Sequence, residues 1–229
     1  MKQTFSIGDL FRSAWQTYKE NWTLFIVVGV VFALVGMLGN LGVSVNHMTG
    51  MVHQSPVIGL LAWLLQVYIG LGFIRFLLNM VDGRVYKLED LFKGAQSFEH
   101  YAYFVVVVML YSAFVGLGTL LLVIPGLVAL IGFTFAQYLV AEQKADIFES
   151  FKESWRMTKG NRWKIFWLMI VVVFFNLFGL LALVVGLAIT IPMSYLVYAY
   201  LYRTLGTDGC DDQGMEVLEV LDGDQSEDQ

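Results

Sequence analysis

Residues 21–40 read NWTLFIVVGVVFALVGMLGN, without a single acidic or basic side chain. A helix needs about 20 mostly apolar residues to cross a hydrocarbon core of ~30 Å. The uncharged stretch runs on to Ile74, and two more follow, His100 to Ala141 and Ile165 to Tyr202, so that the three hold 54, 42 and 38 residues. Each has room for two spans joined by a short turn. Spans are therefore expected at about 23–45, 57–80, 102–123, 126–142, 164–180 and 184–203. The composition agrees: 58% of the 229 residues are hydrophobic and 14% charged, against about 25% charged in an average soluble chain. One cysteine (Cys210) and a net charge of -5 weigh against a disulfide scaffold and against nucleic-acid binding.

Under that threading all 14 basic residues fall on one side. Lys2, Arg12 and Lys19 precede the first span, Arg75, Arg84, Lys87 and Lys93 surround the second connection, Lys144 to Lys164 the fourth, and Arg203 ends the last. Positive loops stay cytoplasmic, so both termini are expected inside. The polar start followed by a run long enough to span is not expected to be a cleaved signal peptide. The outer connections are short, which excludes an outer catalytic or receptor domain.

Each pair of spans is preceded by an amphipathic segment, and the three segments resemble one another. At an offset of 140 residues, Phe11, Trp15, Lys19 and Asn21 are matched by Phe151, Trp155, Lys159 and Asn161. At an offset of 81 the match is weaker: Asp9, Leu10, Phe11 and Arg12 meet Asp90, Leu91, Phe92 and Lys93, with Gln96 in place of the tryptophan. Three repeat units follow, 6–81, 86–141 and 146–205. Ser6 with Asp9, and Asp146 with Glu149, have capping-box spacing and mark helix starts. Ile7, Leu10, Phe11, Ala14, Trp15 and Tyr18 then form one apolar stripe. That stripe either rests in the headgroup boundary or packs on the ends of the spans; both readings stand. The expected fold is an all-α membrane protein, residues 1–205. It has six transmembrane helices arranged as three same-orientation hairpins, each preceded by an amphipathic cytoplasmic interfacial helix. Residues 206–229 carry nine acids and no base and are expected to be a disordered cytoplasmic tail.

The second half carries a further pattern: Leu121-Leu-Val-Ile-Pro-Gly126, an apolar helix ending at Glu142, Ser150-Phe-Lys-Glu-Ser-Trp-Arg-Met-Thr-Lys-Gly160, Trp163, Thr190-Ile-Pro192 and Tyr198-Ala-Tyr-Leu-Tyr-Arg203. Over about residues 118–205 it resembles the YciC-like group of bacterial inner-membrane proteins. It is similar also to the membrane domain fused to some glycerophosphodiester phosphodiesterases. No soluble phosphodiesterase domain is expected within these 229 residues, so that activity is not carried over. The resemblance implies a bacterial inner (plasma) membrane protein.

Ionisable groups at membrane depth are costly and mark function, and none lies near the expected midplane. Arg75 is the deepest, close enough to its span's end to snorkel or to pair with Asp82 or Glu99. Among the uncharged polar residues inside the spans, Gln66, Gln137 and Asn176 could line a narrow polar path, although hydrogen bonding between helices is the preferred reading. His47, Met48, Met51 and His53 are ligand types suited to copper(I), set against the stronger reading of an ordinary exposed loop. No catalytic residues and no cofactor are expected. The function expected is a non-enzymatic scaffold, assembly factor or regulator at the cytoplasmic membrane. The alternative is a carrier or channel for an apolar, amphiphilic or small neutral solute, which would require a cavity lined by those amides. The expected partners are the lipid bilayer and a membrane protein or a second copy of the chain.

Overall fold

The structure, a computed structural model, describes residues 5–40, 43–45, 52–121, 123–181 and 183–224, with side chains described for 5–38, 55–121, 124–181 and 186–206. Its elements are α1 (Ile7–Glu20), α2 (Trp22–Asn40), β1 (Val43–Val45), β2 (Val52–Gln54), α3 (Pro56–Val81) and a one-turn 3-10 helix (Leu88–Leu91). These are followed by α4 (Phe98–Leu121), α5 (Val123–Gly132), α6 (Ala136–Ala141), α7 (Ile147–Thr158), α8 (Arg162–Leu181) and α9 (Leu183–Asp224). The strands form one antiparallel pair with Ser44 opposite His53. Four stretches, Pro56–Val81, Phe98–Leu121, Ile124–Ala141 and Arg162–Leu181, are long and apolar enough to cross a membrane, and α1 with α2 makes a fifth if that bent pair is one span.

Two differences from the sequence reading concern local structure. The stretch 126–142 is not one continuous helix, because α5 stops at Gly132 and α6 starts at Ala136. The second lead segment, expected as an amphipathic helix, forms only the single 3-10 turn. Its cap is Asp90, whose carboxylate accepts from the Lys87 backbone N–H at 2.8 Å. Ser6 and Asp146 do stand in extended backbone immediately before α1 and α7, but neither side chain makes a capping hydrogen bond. What favours these starts is an acid in the first turn, Asp9 or Glu149, close to the positive end of the helix dipole. The helical backbone of α9 continues through the acidic stretch as far as Asp224.

The lead segments determine how the hairpins assemble. Each packs on the hairpin of another unit: the 3-10 turn on α3, α7 on α4, α5 and α6, and α1 on α9. The first contact joins unit 2 to unit 1, the second unit 3 to unit 2, and the third returns unit 1 to unit 3, so the chain closes into a ring of three. In this way part of each apolar stripe is packed against protein, with Leu10, Ala14 and Tyr18 buried in α1 and Phe151 in α7, while Trp15 and Phe148 stay exposed. Phe11 meets Phe175 of α8 edge-on at 5.5 Å, and Tyr18 stacks on Phe25 at 5.5 Å. In the weak second repeat the anchor is Leu91, fully buried, and not Phe92, which is exposed.

Asn21 forms the corner at which α1 and α2 diverge by 87°. Its Nδ2 donates to the Thr17 carbonyl at 3.0 Å, and its Oδ1 accepts from the Tyr86 hydroxyl at 2.7 Å. The matching Asn161 uses its backbone carbonyl to accept from Ile165 N–H at 3.0 Å and so begins α8.

The break between α5 and α6 leaves backbone groups without helical partners, and α7 supplies them. Ser154 Oγ donates to the Gly132 carbonyl at 2.9 Å and accepts from the Phe135 N–H at 3.1 Å. Its side chain is wholly buried. Trp155 lies directly over Gly132, where an added Cβ would overlap its ring. It also meets Phe133 at 5.4 Å and carries the Arg162 guanidinium 3.7 Å above its face. Gly72 and Gly94 make the corresponding contact in unit 1, where a Cβ on either would overlap the other strand of backbone.

Ser154→Ala leaves two buried backbone groups unpaired, and each such group costs about 1–3 kcal/mol. The variant should therefore show a clearly lower thermal midpoint in mild detergent. Gly132→Ala should fall likewise, whereas Gly116→Ala, which faces open space, should melt with the native chain. Equal midpoints for all three would refute this account of the α5–α7 junction.

Candidate functional site

Two places concentrate polar chemistry, one at the charged end of the bundle and one within its apolar body. The first is a clasp of Asp82, Glu142 and Arg203. Asp82 and Glu142 directly follow α3 and α6, Arg203 ends the uncharged stretch within α9, and they are 60 and 61 residues apart in the chain. Arg203 reaches both acids: Nε lies 2.6 Å from Asp82 Oδ1, and Nη2 lies 2.6 Å from Glu142 Oε1. Tyr202 donates its hydroxyl to Glu142 Oε2 at 2.7 Å, and Lys144 Nζ lies 2.9 Å from the same oxygen. Arg84 approaches Asp82 at 3.5 Å from the outside. Three units are thus pinned at one point by a guanidinium fork whose geometry suits two carboxylates. Burial raises the Glu142 pKa, but the hydrogen bonds from Arg203, Lys144 and Tyr202 outweigh it and hold the carboxyl below its ordinary value of about 4.5. Beside the clasp, His100 is buried at the start of α4 and bonds the Val140 carbonyl through Nε2 at 2.8 Å, tying α4 to α6.

Arg75 does not pair with Asp82 or Glu99, as its position in the sequence had suggested. Its Nη1 donates to the Gly94 carbonyl at 2.8 Å. The Gly72–Gly94 approach places that carbonyl beside α3, while Asp82 is engaged by Arg203.

The second place separates the three amides that were candidates for a polar path. Asn176 is a packing residue, for its Nδ2 donates to Ser194 Oγ at 2.8 Å across the α8–α9 hairpin and to the Val172 carbonyl at 2.9 Å. Gln66 of α3 and Gln137 of α6 instead line one cavity of about 340 Å³, together with Trp63, Phe73, Phe104 and Tyr195. Neither glutamine side chain has a hydrogen-bond partner among the described residues. Against this cavity lies an apolar groove of about 520 Å³ between α2, α3 and α9, and the two share Phe32, Phe73 and Tyr195.

Phe11, Trp15, Lys19, Phe151, Trp155 and Lys159 are spread over two docking faces and form no common pocket. Lys19 lies 5.7 Å over the Trp15 ring, a cation–π pair within one helix. Of the suggested copper ligands, His47, Met48 and Met51 lie outside the described residues, and of His53 only the backbone in β2 is described. Among the described residues no group of three potential ligands could hold a metal ion. The clasp escaped the sequence reading because its partners are far apart in the chain. A signal was nonetheless present: Glu142 and Arg203 are the first charges after the second and third uncharged stretches.

A family model described as a domain of unknown function, DUF7847, matches residues 43–208, and the chain belongs to that family. No curated protein and no solved structure matches it.

Because the folded Glu142 carboxyl titrates below its unfolded value, the clasp stabilises fully above about pH 4.5 and loses that contribution as pH falls through the folded value. The thermal midpoint in detergent should be flat from pH 7 to pH 5 as far as this group is concerned and should decline below, with a shallower decline in Glu142→Gln. Arg203→Ala leaves two carboxylates facing each other and should cost about 3 kcal/mol. Lys144→Ala, at a more exposed position, should cost less than ~1 kcal/mol. Equal losses would contradict the clasp.

Proposed function

We propose that this member of the family is a non-enzymatic integral membrane protein, with six spans in three same-orientation hairpins and both termini in the cytoplasm, acting as a scaffold, assembly factor or regulator. The observation that carries this reading is the closed ring. Three units latch cyclically through their lead segments and are pinned by the Asp82–Glu142–Arg203 clasp at the end where the charges gather. A body held shut at its charged end suits a rigid platform better than a pathway that must open there. Its surface in turn offers broad exposed apolar faces, such as Leu34 and Met37 of α2 and Val173 and Leu177 of α8, to lipid or to another membrane protein. The one-sided distribution of basic residues supports the orientation. The likeness of residues 118–205 to the YciC-like group supports a bacterial inner membrane.

A second reading, a carrier or channel for an apolar, amphiphilic or small neutral solute, is favoured by one specific observation. Gln66 and Gln137 line one open cleft instead of bonding to neighbouring helices. The two readings are separated by purification in mild detergent and by reconstitution. The scaffold reading expects a stoichiometric membrane-protein partner or a second copy to co-purify and to be lost in Arg203→Ala. The carrier reading expects flux of a neutral solute from liposomes that Gln66→Leu or Gln137→Leu reduces severalfold. A monomer without a partner, and with unaltered flux in those variants, would refute both.

A further inference from the structure

The cavity and the groove beside it present a combination that packing alone does not explain. A carboxamide in an apolar medium costs several kcal/mol when nothing bonds to it, and the usual remedy within a bundle is the one Asn176 adopts. Gln66 and Gln137 do not adopt it. Both line the same 340 Å³ cavity with no partner among the described residues, and the Tyr195 hydroxyl on the same wall likewise has none. Three uncharged polar groups that can donate or accept therefore line one open cleft, Gln137 half-buried and Gln66 and Tyr195 exposed. On the far side of Phe32, Phe73 and Tyr195 the space continues as the 520 Å³ groove, whose remaining lining includes Phe25, Val28, Leu187 and Ile191. Gly29 and Ala33 on α2 keep that groove open, and a Cβ at Gly29 would meet nothing within 4 Å.

We propose that these two spaces form one binding site for a neutral long-chain lipid: its chain lies in the α2–α3–α9 groove, and the hydroxyl or carbonyl oxygens of its head bond to Gln66, Gln137 and Tyr195. The charge of the lining selects the head. Among the described residues no Lys, Arg, His, Asp or Glu lines either space, so a phosphate would find no counter-charge and an ammonium no carboxylate, and burying either unpaired is prohibitive. An uncharged head exchanges the unpaired amides for hydrogen bonds at no such cost. The site deepens the second reading given above, since it names the class of amphiphile. It does not depend on transport, for a lipid held permanently would satisfy the same groups.

The test uses the full chain in phosphatidylcholine vesicles with three photoactivatable probes of identical chain, each bearing a mid-chain diazirine: hexadecanol, hexadecyl phosphate and hexadecyl trimethylammonium. Labelled peptides are read by mass spectrometry. Hexadecanol should label the segments around Phe32, Phe73 and Tyr195 at least severalfold more than either charged probe. The Gln66→Leu/Gln137→Leu variant should lose about tenfold in that labelling, the equivalent of one to two net hydrogen bonds, with its thermal midpoint unchanged or raised. Gly29→Leu, which fills the groove without touching the amides, should abolish labelling there while the midpoint stays native. Equal labelling by all three probes, native labelling in both variants, or no labelling at those segments would overturn the proposal, the last leaving water as the cavity's occupant. Labelling as expected without solute flux would overturn the carrier reading and leave the binding site standing.

Discussion

Within a bundle this apolar, every backbone N–H and C=O must find a partner inside the protein, and a helix that breaks creates a debt of unpaired groups at the break. The interruption between Gly132 and Ala136 is such a place. One buried hydroxyl, Ser154 Oγ, satisfies a carbonyl on one side and an N–H on the other, and in doing so fixes where α7 lies. Steric fit then adds to the hydrogen bonds. The absence of a side chain at Gly132 admits Trp155, and its absence at Gly72 and Gly94 admits the 3-10 segment onto α3. There Arg75 answers the carbonyl that this approach exposes. The closed ring follows from these local demands, because a lead segment needed at the preceding hairpin draws its own hairpin alongside.

Charge acts on the same assembly from one end. Arg203 engages carboxylates 61 and 121 residues away in the chain, and all three members of the clasp are largely shielded from solvent. A half-buried guanidinium bound to two carboxylates is weak as a source of net stability, since desolvation offsets the attraction. It is strong as a discriminator. A hairpin docked in the wrong register would bury an unpaired charge. The clasp is thus better understood as setting the register of the three units than as their glue, which is the apolar burial around Phe25, Phe76, Phe135 and Leu196.

Much of this was legible in the sequence where the signal is a sum over many residues. Uncharged stretches long enough to span, and the Phe-x-x-x-Trp-x-x-x-Lys-x-Asn repeat at residues 11–21 and 151–161, place the helices and the lead segments without reference to any neighbour. What was not legible depended on neighbours. An amphipathic stripe looks the same whether lipid or protein covers it, so nothing local revealed that Leu10, Ala14 and Tyr18 would be buried against protein while Trp15 stays exposed, or that Ser154 would be needed at Gly132. The second lead was the weakest match, with Gln96 where the others have tryptophan, and there the helix fails to form and Leu91 takes over the anchoring that Phe92 was expected to share.

That weakest repeat leaves α3 with two unlike faces. The lead segments α1 and α7 are helices of 14 and 12 residues, whereas the second lead is a 3-10 helix of four residues. The second lead meets α3 at Tyr68, Gly72 and Arg75: the Tyr68 hydroxyl donates to the Phe92 carbonyl at 2.6 Å, Arg75 donates to the Gly94 carbonyl at 2.8 Å, and Gly72 admits the Leu91 backbone. Trp63, Gln66, Val67, Gly70, Phe73 and Ile74, which line the cleft, recur at intervals of three and four on the opposite side of that helix. The lead segment therefore covers one face of α3 and cannot reach the other, and it is on that other face that the chain carries an unpartnered glutamine. Had this face served packing alone, an apolar residue at position 66 would have been the stabilising choice.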